Sequence, residues 1–297
     1  MTKIVSAAAS LVDLPVETVR TDAVQAFVKQ ETIVVDLHTD DGLSGTGYSY
    51  TIGTGGRAVL SMLRDHLLPL LEGRDARDIE AAWRELFATT RATTVGAITS
   101  LALAAVDTAL WDLRCLRAGE PLWRLAGGFR RAVPVYDTEG GWLHLPTDDL
   151  VRGALAAKEA GLCGVKLKIG RPRPEEDAAR IAAVRAAVGP ELDIMVDANQ
   201  SMTYAEAKRR AHLLEPYGVC FFEEPLPADD VQGHRERSRR RARCGRAGNR
   251  LGPRCHVRPA SGLVRERFSG KWWPGEGSLR NLPSLTLSGT RKAEMNA

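Results

Sequence analysis

The first 125 residues change from strand-like to helix-like spacing of their hydrophobic positions. Residues 32–39 are rich in β-branched side chains with partial alternation, an Asp-Asp-Gly turn follows at residues 40–42, and residues 44–50 can form the returning strand. Hydrophobic residues at three- and four-residue spacing then predict helices over residues 57–71, 78–89 and 99–118. Strands followed by helices predict an α+β domain over residues 1–125.

From residue 126 onward, short hydrophobic strands alternate with amphipathic helices. The predicted strands are residues 133–136, 163–169, 192–196 and 219–222, and the predicted helices are residues 148–160, 174–188 and 203–214. This order predicts a parallel sheet with helices outside it. An eight-stranded barrel needs about eight such units, and residues 126–234 supply three and an opening strand. The predicted fold class is therefore α/β, an α+β domain followed by an incomplete (β/α) barrel of the TIM type.

Residues 235–297 match neither period and differ sharply in charge. They contain 14 Arg and 2 Lys against 4 Glu, a net +12, whereas residues 1–234 carry −8 and the whole chain +4. Three interpretations fit this basic, irregular tail: an arm that binds nucleic acid, a disordered extension, or a reading-frame shift near residues 233–239. We favour the shift, because a shifted frame in a GC-rich gene gives much Arg, Gly, Pro and Ser, and nucleic-acid binding is the least favoured.

Composition excludes several other classes of protein. No apolar run reaches the roughly 18–20 residues that cross a bilayer, so no membrane partner is expected. The 5 Cys residues are scattered without CxxC spacing, which argues against a disulfide framework or a zinc site and predicts a cytoplasmic protein. Two glycine-rich runs, at residues 42–47 and 53–56, could be read as phosphate-binding loops, but the first lies in a predicted hairpin and a nucleotide role is not favoured for either.

Polar side chains cluster at the carboxyl ends of three predicted barrel strands, where barrel enzymes carry their active sites. Lys166 and Lys168 lie at i and i+2, so both point to one face of their strand. Asp197 and Asn199 end the next strand, and Glu223 ends the one after it. The alternatives are a solvated edge strand for the lysines, a helix cap or structural ion pair for the acids, and a turn residue for Asn199.

These residue types suit the removal of a proton α to a carboxylate. Two carboxylates make a hard oxygen site suited to Mg²⁺. Mutual repulsion and partial burial are expected to lower a lysine pKa toward neutrality, which makes one of the two lysines a candidate base. A bound cation would stabilise the enolate that results.

Four segments together resemble the mandelate racemase/muconate lactonizing enzyme family of the enolase superfamily. They are Lys166-Leu167-Lys168, residues 196–200, residues 222–226, and residues 107–112 of the capping-domain helix. The resemblance covers residues 1–234. It implies a capping domain at residues 1–125, half a barrel at residues 126–234, and loops at residues 14–26 and 50–56 that close over the substrate.

The resemblance also implies roles for single residues. Lys168 would be the base, and Lys166 would contact the carboxylate of a small acid substrate and tune Lys168. Asp197 and Glu223 would bind Mg²⁺, and Asn199 would lie near substrate or metal. Glu224 is the less suitable ligand because it faces away from Glu223. The implied function is dehydration or racemisation of a hydroxy acid or acid sugar, because residues 136–142 are more similar to the enzymes of these reactions than to the alternative, cycloisomerases. The resemblance also implies a homo-oligomer.

The family's remaining groups are not recognisable in the sequence. A third acidic ligand is expected shortly after residue 240, and a second base, often a His paired with an Asp, on later strands. Glu266, Glu276 and His256 do not end hydrophobic strands. We therefore expect this chain to be weakly active or inactive and poorly stable.

Overall fold

The structure is a computed structural model that describes residues 2–93 and 95–236. It confirms the predicted fold class: an N-terminal α+β region followed by a partial parallel β/α region. The domain boundaries stay a prediction. The tail residues Glu266, Glu276 and His256 lie outside the described residues. Among the described helices, none is long and apolar enough to cross a membrane.

The N-terminal region packs helices on one face of an antiparallel sheet. Its strands are β1 (Ile4–Leu14), β2 (Arg20–Thr21), β3 (Ala26–Phe27), β4 (Gln30–Thr39) and β5 (Ser44–Thr51), and its helices are α1 (Gly56–Ser61), α2 (Ile79–Thr90), α3 (Ala97–Ala118) and α4 (Leu122–Leu125). The main sheet has the order β1-β4-β5, and β2 pairs with β3 in a small separate hairpin. Its core includes Ile33, Val35 and Leu37 of β4, which alternate with partly exposed residues as the sequence predicts.

Glycines in β5 allow α3 to pack directly on the sheet. A Cβ added to Gly47 would lie 2.0 Å from the carbonyl oxygen of Ala105, and one added to Gly45 would lie 2.4 Å from that of Ala109. The first glycine-rich run therefore serves helix–sheet packing, because the space a phosphate would need is filled by the backbone of α3.

The second region is a four-stranded parallel sheet in the order β6-β7-β8-β9. Its elements are β6 (Tyr136–Asp137), α5 (Thr147–Glu159), β7 (Gly164–Lys168), α6 (Pro174–Val188), β8 (Asp193–Asp197), α7 (Tyr204–Leu214) and β9 (Val219–Glu223). Residues 231–236 are helical. One face of the sheet is covered by α5, α6 and α7, and buries side chains such as Leu167, Ile194 and Val196.

Two predicted elements differ from the structure for local reasons. The first barrel strand is only Tyr136–Asp137, because Pro134 has no N–H to donate to a sheet ladder. The helix predicted over residues 57–71 is α-helical only to Ser61, π-helical over Met62–Leu67, and 3₁₀-helical over Leu68–Leu70. Pro69 lies in that last turn, and a proline ring clashes with the carbonyl four residues before it, which breaks the regular helix.

Candidate active site

The structure brings the two lysines and two carboxylates together at one point. Lys166 Nζ lies 3.0 Å from Glu223 Oε2 and 3.2 Å from Asp197 Oδ2. Lys168 Nζ lies 2.7 Å from Asp197 Oδ2. Four charged groups from three consecutive strands therefore share one small volume at the carboxyl ends of those strands.

Strand register produces this convergence. Lys168 pairs with Asp197 across β7 and β8, and Asp197 pairs with Glu223 across β8 and β9. Paired residues of adjacent strands point to the same face of a sheet, and Lys166 shares that face because it lies two positions before Lys168. The intervening side chains, such as Leu167, point into the core beneath the helices.

Three of the four charged side chains are largely buried, that of Glu223 is 37% exposed, and the charges are paired. The side chains of Lys166 and Lys168 are 13% and 11% exposed, and that of Asp197 is 3% exposed. Because β7 lies between β6 and β8, the alternative of a solvated edge strand is wrong. The alternative of an ion pair for the acids describes real contacts, because both carboxylates pair with lysines. Such pairing does not exclude a role in binding, since a ligand could replace the lysines as partners of the carboxylates.

The electrostatics correct one expectation about the lysines. Burial lowers the pKa of Lys166, but the hydrogen bonds and charges of Glu223 and Asp197 outweigh burial, so its pKa is raised. Repulsion from Lys168 is therefore not the dominant effect on the pKa of Lys166. Burial raises the pKa of Asp197, but the contacts from Lys168, the Asn199 N–H and Lys166 outweigh it, so the pKa of Asp197 is lowered.

Asn199 occupies a turn directly after β8. Its φ of 47° lies in the left-handed region that Asn tolerates better than most residues. Its backbone N–H donates to Asp197 Oδ1 at 2.9 Å, which fixes the carboxylate. The side-chain Oδ1 is buried and has no hydrogen-bond partner in the described part of the chain. Asn199 is thus a turn residue, as one alternative held, and also carries an acceptor that a ligand could use.

Glu224 is oriented differently from its neighbour Glu223. It has a φ of 41°, its carbonyl accepts from the Gln200 N–H at 2.7 Å, and its carboxylate lies 3.5 Å from Gln200 Nε2. The two adjacent glutamates therefore differ in surroundings, and the lysine cluster contacts Glu223.

A loop of the N-terminal region contacts the turn that follows β6, beside the site. The Leu143 N–H donates to the Thr21 carbonyl at 3.0 Å, and the Thr21 N–H donates to His144 Nδ1 at 3.2 Å. Arg20 forms an ion pair of 2.7 Å with Glu139. These contacts hold part of the predicted loop of residues 14–26 on the turn that follows β6.

The second predicted loop is held by a buried carboxylate that the sequence did not single out. Glu31 accepts hydrogen bonds from the Thr51 hydroxyl at 2.8 Å, the Gly56 N–H at 3.1 Å and Lys29 Nζ at 3.1 Å. Those contacts, Thr51 foremost, lower the pKa of Glu31. The two ends of the segment of residues 50–56 are thereby tied to β4.

Trp142 is a further residue beside the lysines that the sequence did not single out. Its ring centroid lies 5.3 Å from Lys168 Nζ, in the geometry of a cation–π contact. Its position could have been found by the rule that functional groups follow barrel strands, because it comes shortly after β6.

The two carboxylates of the site provide the type of ligand atom that a hard divalent cation prefers. Asp197 and Glu223 provide carboxylate oxygens from neighbouring strand ends, and both contact the single ammonium of Lys166, so a positive charge already lies between them. Within residues 2–93 and 95–236 there is no group of three His, Cys, Asp or Glu side chains arranged to hold a metal. The expected third acidic ligand, after residue 240, lies outside the described residues.

Comparisons with known proteins agree with this architecture. The family model described as "Mandelate racemase / muconate lactonizing enzyme, N-terminal domain" matches residues 3–127, and "Enolase C-terminal domain-like" matches residues 149–245. The L-talarate/galactarate dehydratase of Salmonella typhimurium is 35% identical over 231 residues, which are 76% of this chain and 58% of that protein. The 3,6-anhydro-alpha-L-galactonate cycloisomerase of Streptomyces coelicolor is 39% identical over 222 residues, 74% of this chain and 61% of that protein.

Solved structures give the same result. The crystal structure of the Salmonella dehydratase, liganded with Mg and L-lyxarohydroxamate, has a TM-score of 0.75 at 33% identity and covers 80% of this chain and 62% of its own. A racemase from Streptomyces coelicolor with bound magnesium has a TM-score of 0.73 at 38% identity, over 77% of this chain and 64% of its own. The chain spans about three fifths of the length of these curated relatives. With both domain models matched in order, and with the fold and strand-end residues described above, the chain belongs to the mandelate racemase/muconate lactonizing enzyme family of the enolase superfamily.

Proposed function

We propose that the described site is the base and metal-binding half of an active site that removes the proton α to the carboxylate of a hydroxy acid or acid sugar. The reaction would lead to dehydration or racemisation and would depend on Mg²⁺. The observation that carries this proposal is the meeting of Lys166, Lys168, Asp197 and Glu223 at one point.

Each side chain has a part in the proposed reaction. Lys168 in its neutral form takes the α-proton on Nζ, and Lys166 holds the substrate carboxylate by charge and hydrogen bonding. Asp197 and Glu223 would hold the metal, and Asn199 would contact substrate or metal. When bound, Mg²⁺ supplies positive charge that stabilises the enolate form of the substrate. The loop of residues 14–26 limits access of water to the site.

The names of relatives support the substrate class. Besides the L-talarate/galactarate dehydratase, the relatives include the arabinonate dehydratase of Saccharolobus solfataricus, which is 35% identical over 200 residues. Both names denote dehydration of polyhydroxylated acids. We therefore propose a small hydroxylated carboxylate as substrate.

Cycloisomerisation is the second candidate. It is favoured by the cycloisomerase of Streptomyces coelicolor, which has the higher identity of the two relatives compared above. Both reactions begin with the same proton abstraction, so the described half of the site serves either. Binding of nucleic acid through the basic tail rests on residues outside the described part and has no supporting observation. Homo-oligomerisation stays a prediction.

Because low activity is expected, a slow partial reaction tests the function better than complete turnover does. A third acidic ligand and a second base are not recognisable in the sequence, so turnover is expected to fall far below the roughly 10 s⁻¹ that is typical of enzymes. Exchange of the α-proton needs only the base and the charge that stabilises the enolate. The exchanged acid accumulates over hours, so even a slow reaction can be detected.

We expect the full chain with Mg²⁺ to exchange the α-proton of galactarate or arabinonate for deuterium in D₂O. Proton NMR follows the loss of the α-proton signal, and removal of the metal with EDTA is expected to stop it. Retention of the α-proton in every acid tested, with Mg²⁺ present, would contradict the proposed function.

A further inference from the structure

The indole of Trp142 is fixed over the proposed base by its own backbone. The turn of residues 139–141 packs directly on β7, where a Cβ added to Gly141 would lie 1.9 Å from the Lys166 carbonyl oxygen. That close approach is possible only for glycine. It places the ring of the next residue, Trp142, 5.3 Å from Lys168 Nζ.

The N-terminal region also contacts this ring. Phe27 meets Trp142 edge to face with ring centroids 5.2 Å apart, and the Arg20 guanidinium lies 5.8 Å from the ring centroid. The neighbouring Leu143 N–H is hydrogen-bonded to Thr21. The indole therefore contacts both the N-terminal region and the proposed base.

Within residues 2–93 and 95–236, two polar atoms at this site are buried and lack a hydrogen-bond partner. In the described part of the chain, buried side-chain polar atoms that lack a hydrogen bond occur at four residues: Thr32, Ser49, Trp142 and Asn199. The first two lie in strands of the N-terminal sheet. The indole Nε1–H of Trp142 and the Oδ1 of Asn199 belong instead to residues that contact Lys168 and Asp197. Buried polar groups in folded proteins are nearly always paired, so an orphaned donor and acceptor beside charged groups indicate a ligand.

The chemistry of the two atoms indicates which ligand group they take. Indole N–H can only donate, and an amide oxygen can only accept. A hydroxyl group does both, whereas a carboxylate only accepts. The ammonium of Lys166 already offers a charged partner for the carboxylate.

We propose that Trp142 is a substrate-binding residue whose indole N–H donates a hydrogen bond to a hydroxyl oxygen of the acid. This inference rests on the proposed function and adds a basis for specificity. Acids with hydroxyl groups beside the carboxylate satisfy the buried donor, and acids without them leave it unpaired.

The test compares galactarate with adipate, which has the same six-carbon dicarboxylate skeleton without hydroxyl groups. Trp142→Phe keeps an aromatic ring beside Lys168 and removes the N–H together with the five-membered ring of the indole, and binding of adipate controls for the lost volume. With Mg²⁺ present, ligand-observed NMR is expected to show weaker binding of galactarate by about 3- to 10-fold and unchanged binding of adipate. The matched control is Trp123→Phe, an exposed tryptophan of α4, for which both affinities are expected to stay the same.

The outcomes separate this inference from the proposed function. Equal weakening of both acids, or no change for galactarate, overturns the role of the N–H while the proposed function stands. Binding of galactarate that weakens as expected, without exchange of its α-proton, supports the hydrogen bond and contradicts the proposed reaction. If the full chain binds neither acid, both are overturned.

Discussion

Replacement of Lys168 by alanine is expected to slow exchange of the α-proton by about 10²- to 10⁴-fold, the usual contribution of a general base. Lys168 is the one lysine of the cluster that contacts both Asp197 and the ring of Trp142. Removing its amine leaves the carboxylates and Lys166 in place. The charge that stabilises the enolate therefore remains, and the group that takes the proton is lost. Deuterium incorporation in D₂O, followed by proton NMR, measures the effect.

Lys208→Ala provides the matched control. Lys208 is an exposed residue of α7 and its loss removes a lysine elsewhere on the same region. We expect exchange at the unchanged rate in this variant. If Lys168→Ala exchanges the proton as fast as the full chain, the base is another group and the role given to Lys168 is wrong.

Replacement of Asp177 by asparagine is expected to destabilise the second region by about 3 kcal/mol, because the buried guanidinium of Arg210 loses one of its two carboxylate partners. Asp177 is 1% exposed and pairs with Arg210, which is 5% exposed. Asp177 also accepts from the Gly170 N–H at 2.8 Å and thereby fixes the loop that follows β7. Arg210 retains its ion pair with Glu206 at 2.7 Å, which keeps the loss near the lower end of the range for broken buried pairs.

Urea denaturation followed by circular dichroism measures this loss as a change in the free energy of unfolding. Glu175→Gln is the matched control on the same helix. Its partner is Arg209, and both side chains are 59% exposed, so we expect a loss below about 1 kcal/mol. Equal midpoints for Asp177→Asn and the unchanged chain would mean that the buried pair contributes nothing.

Much of the fold follows from local periodicity. The two-residue period of residues 163–169 predicts both the strand and the common face of Lys166 and Lys168, and the structure has β7 at Gly164–Lys168. The helix predicted over residues 174–188 has the same bounds in the structure, because Pro174 begins it and Gly189 ends it with a φ of 74°.

The rest depends on contacts between residues far apart in the chain. The ion pair of Asp177 and Arg210 joins two helices, and the contact of Phe27 with Trp142 joins the two regions, so no local pattern encodes either. The direction of the pKa shift of Lys166 depends on which group lies nearest its ammonium. The sequence places two lysines on one face, but only the strand register shows that Glu223 and Asp197 are the nearer charges.

The most direct test of the site as a whole is a titration with Mn²⁺ followed by electron paramagnetic resonance, because Mn²⁺ takes the same oxygen ligands as Mg²⁺. Glu223 and Glu224 are adjacent in sequence and identical in type, and the lysine cluster contacts Glu223. We predict that Glu223→Gln weakens Mn²⁺ binding by at least about 10-fold, whereas Glu224→Gln leaves it unchanged. Equal binding by both variants and the unaltered chain would show that these strand ends do not form a metal site.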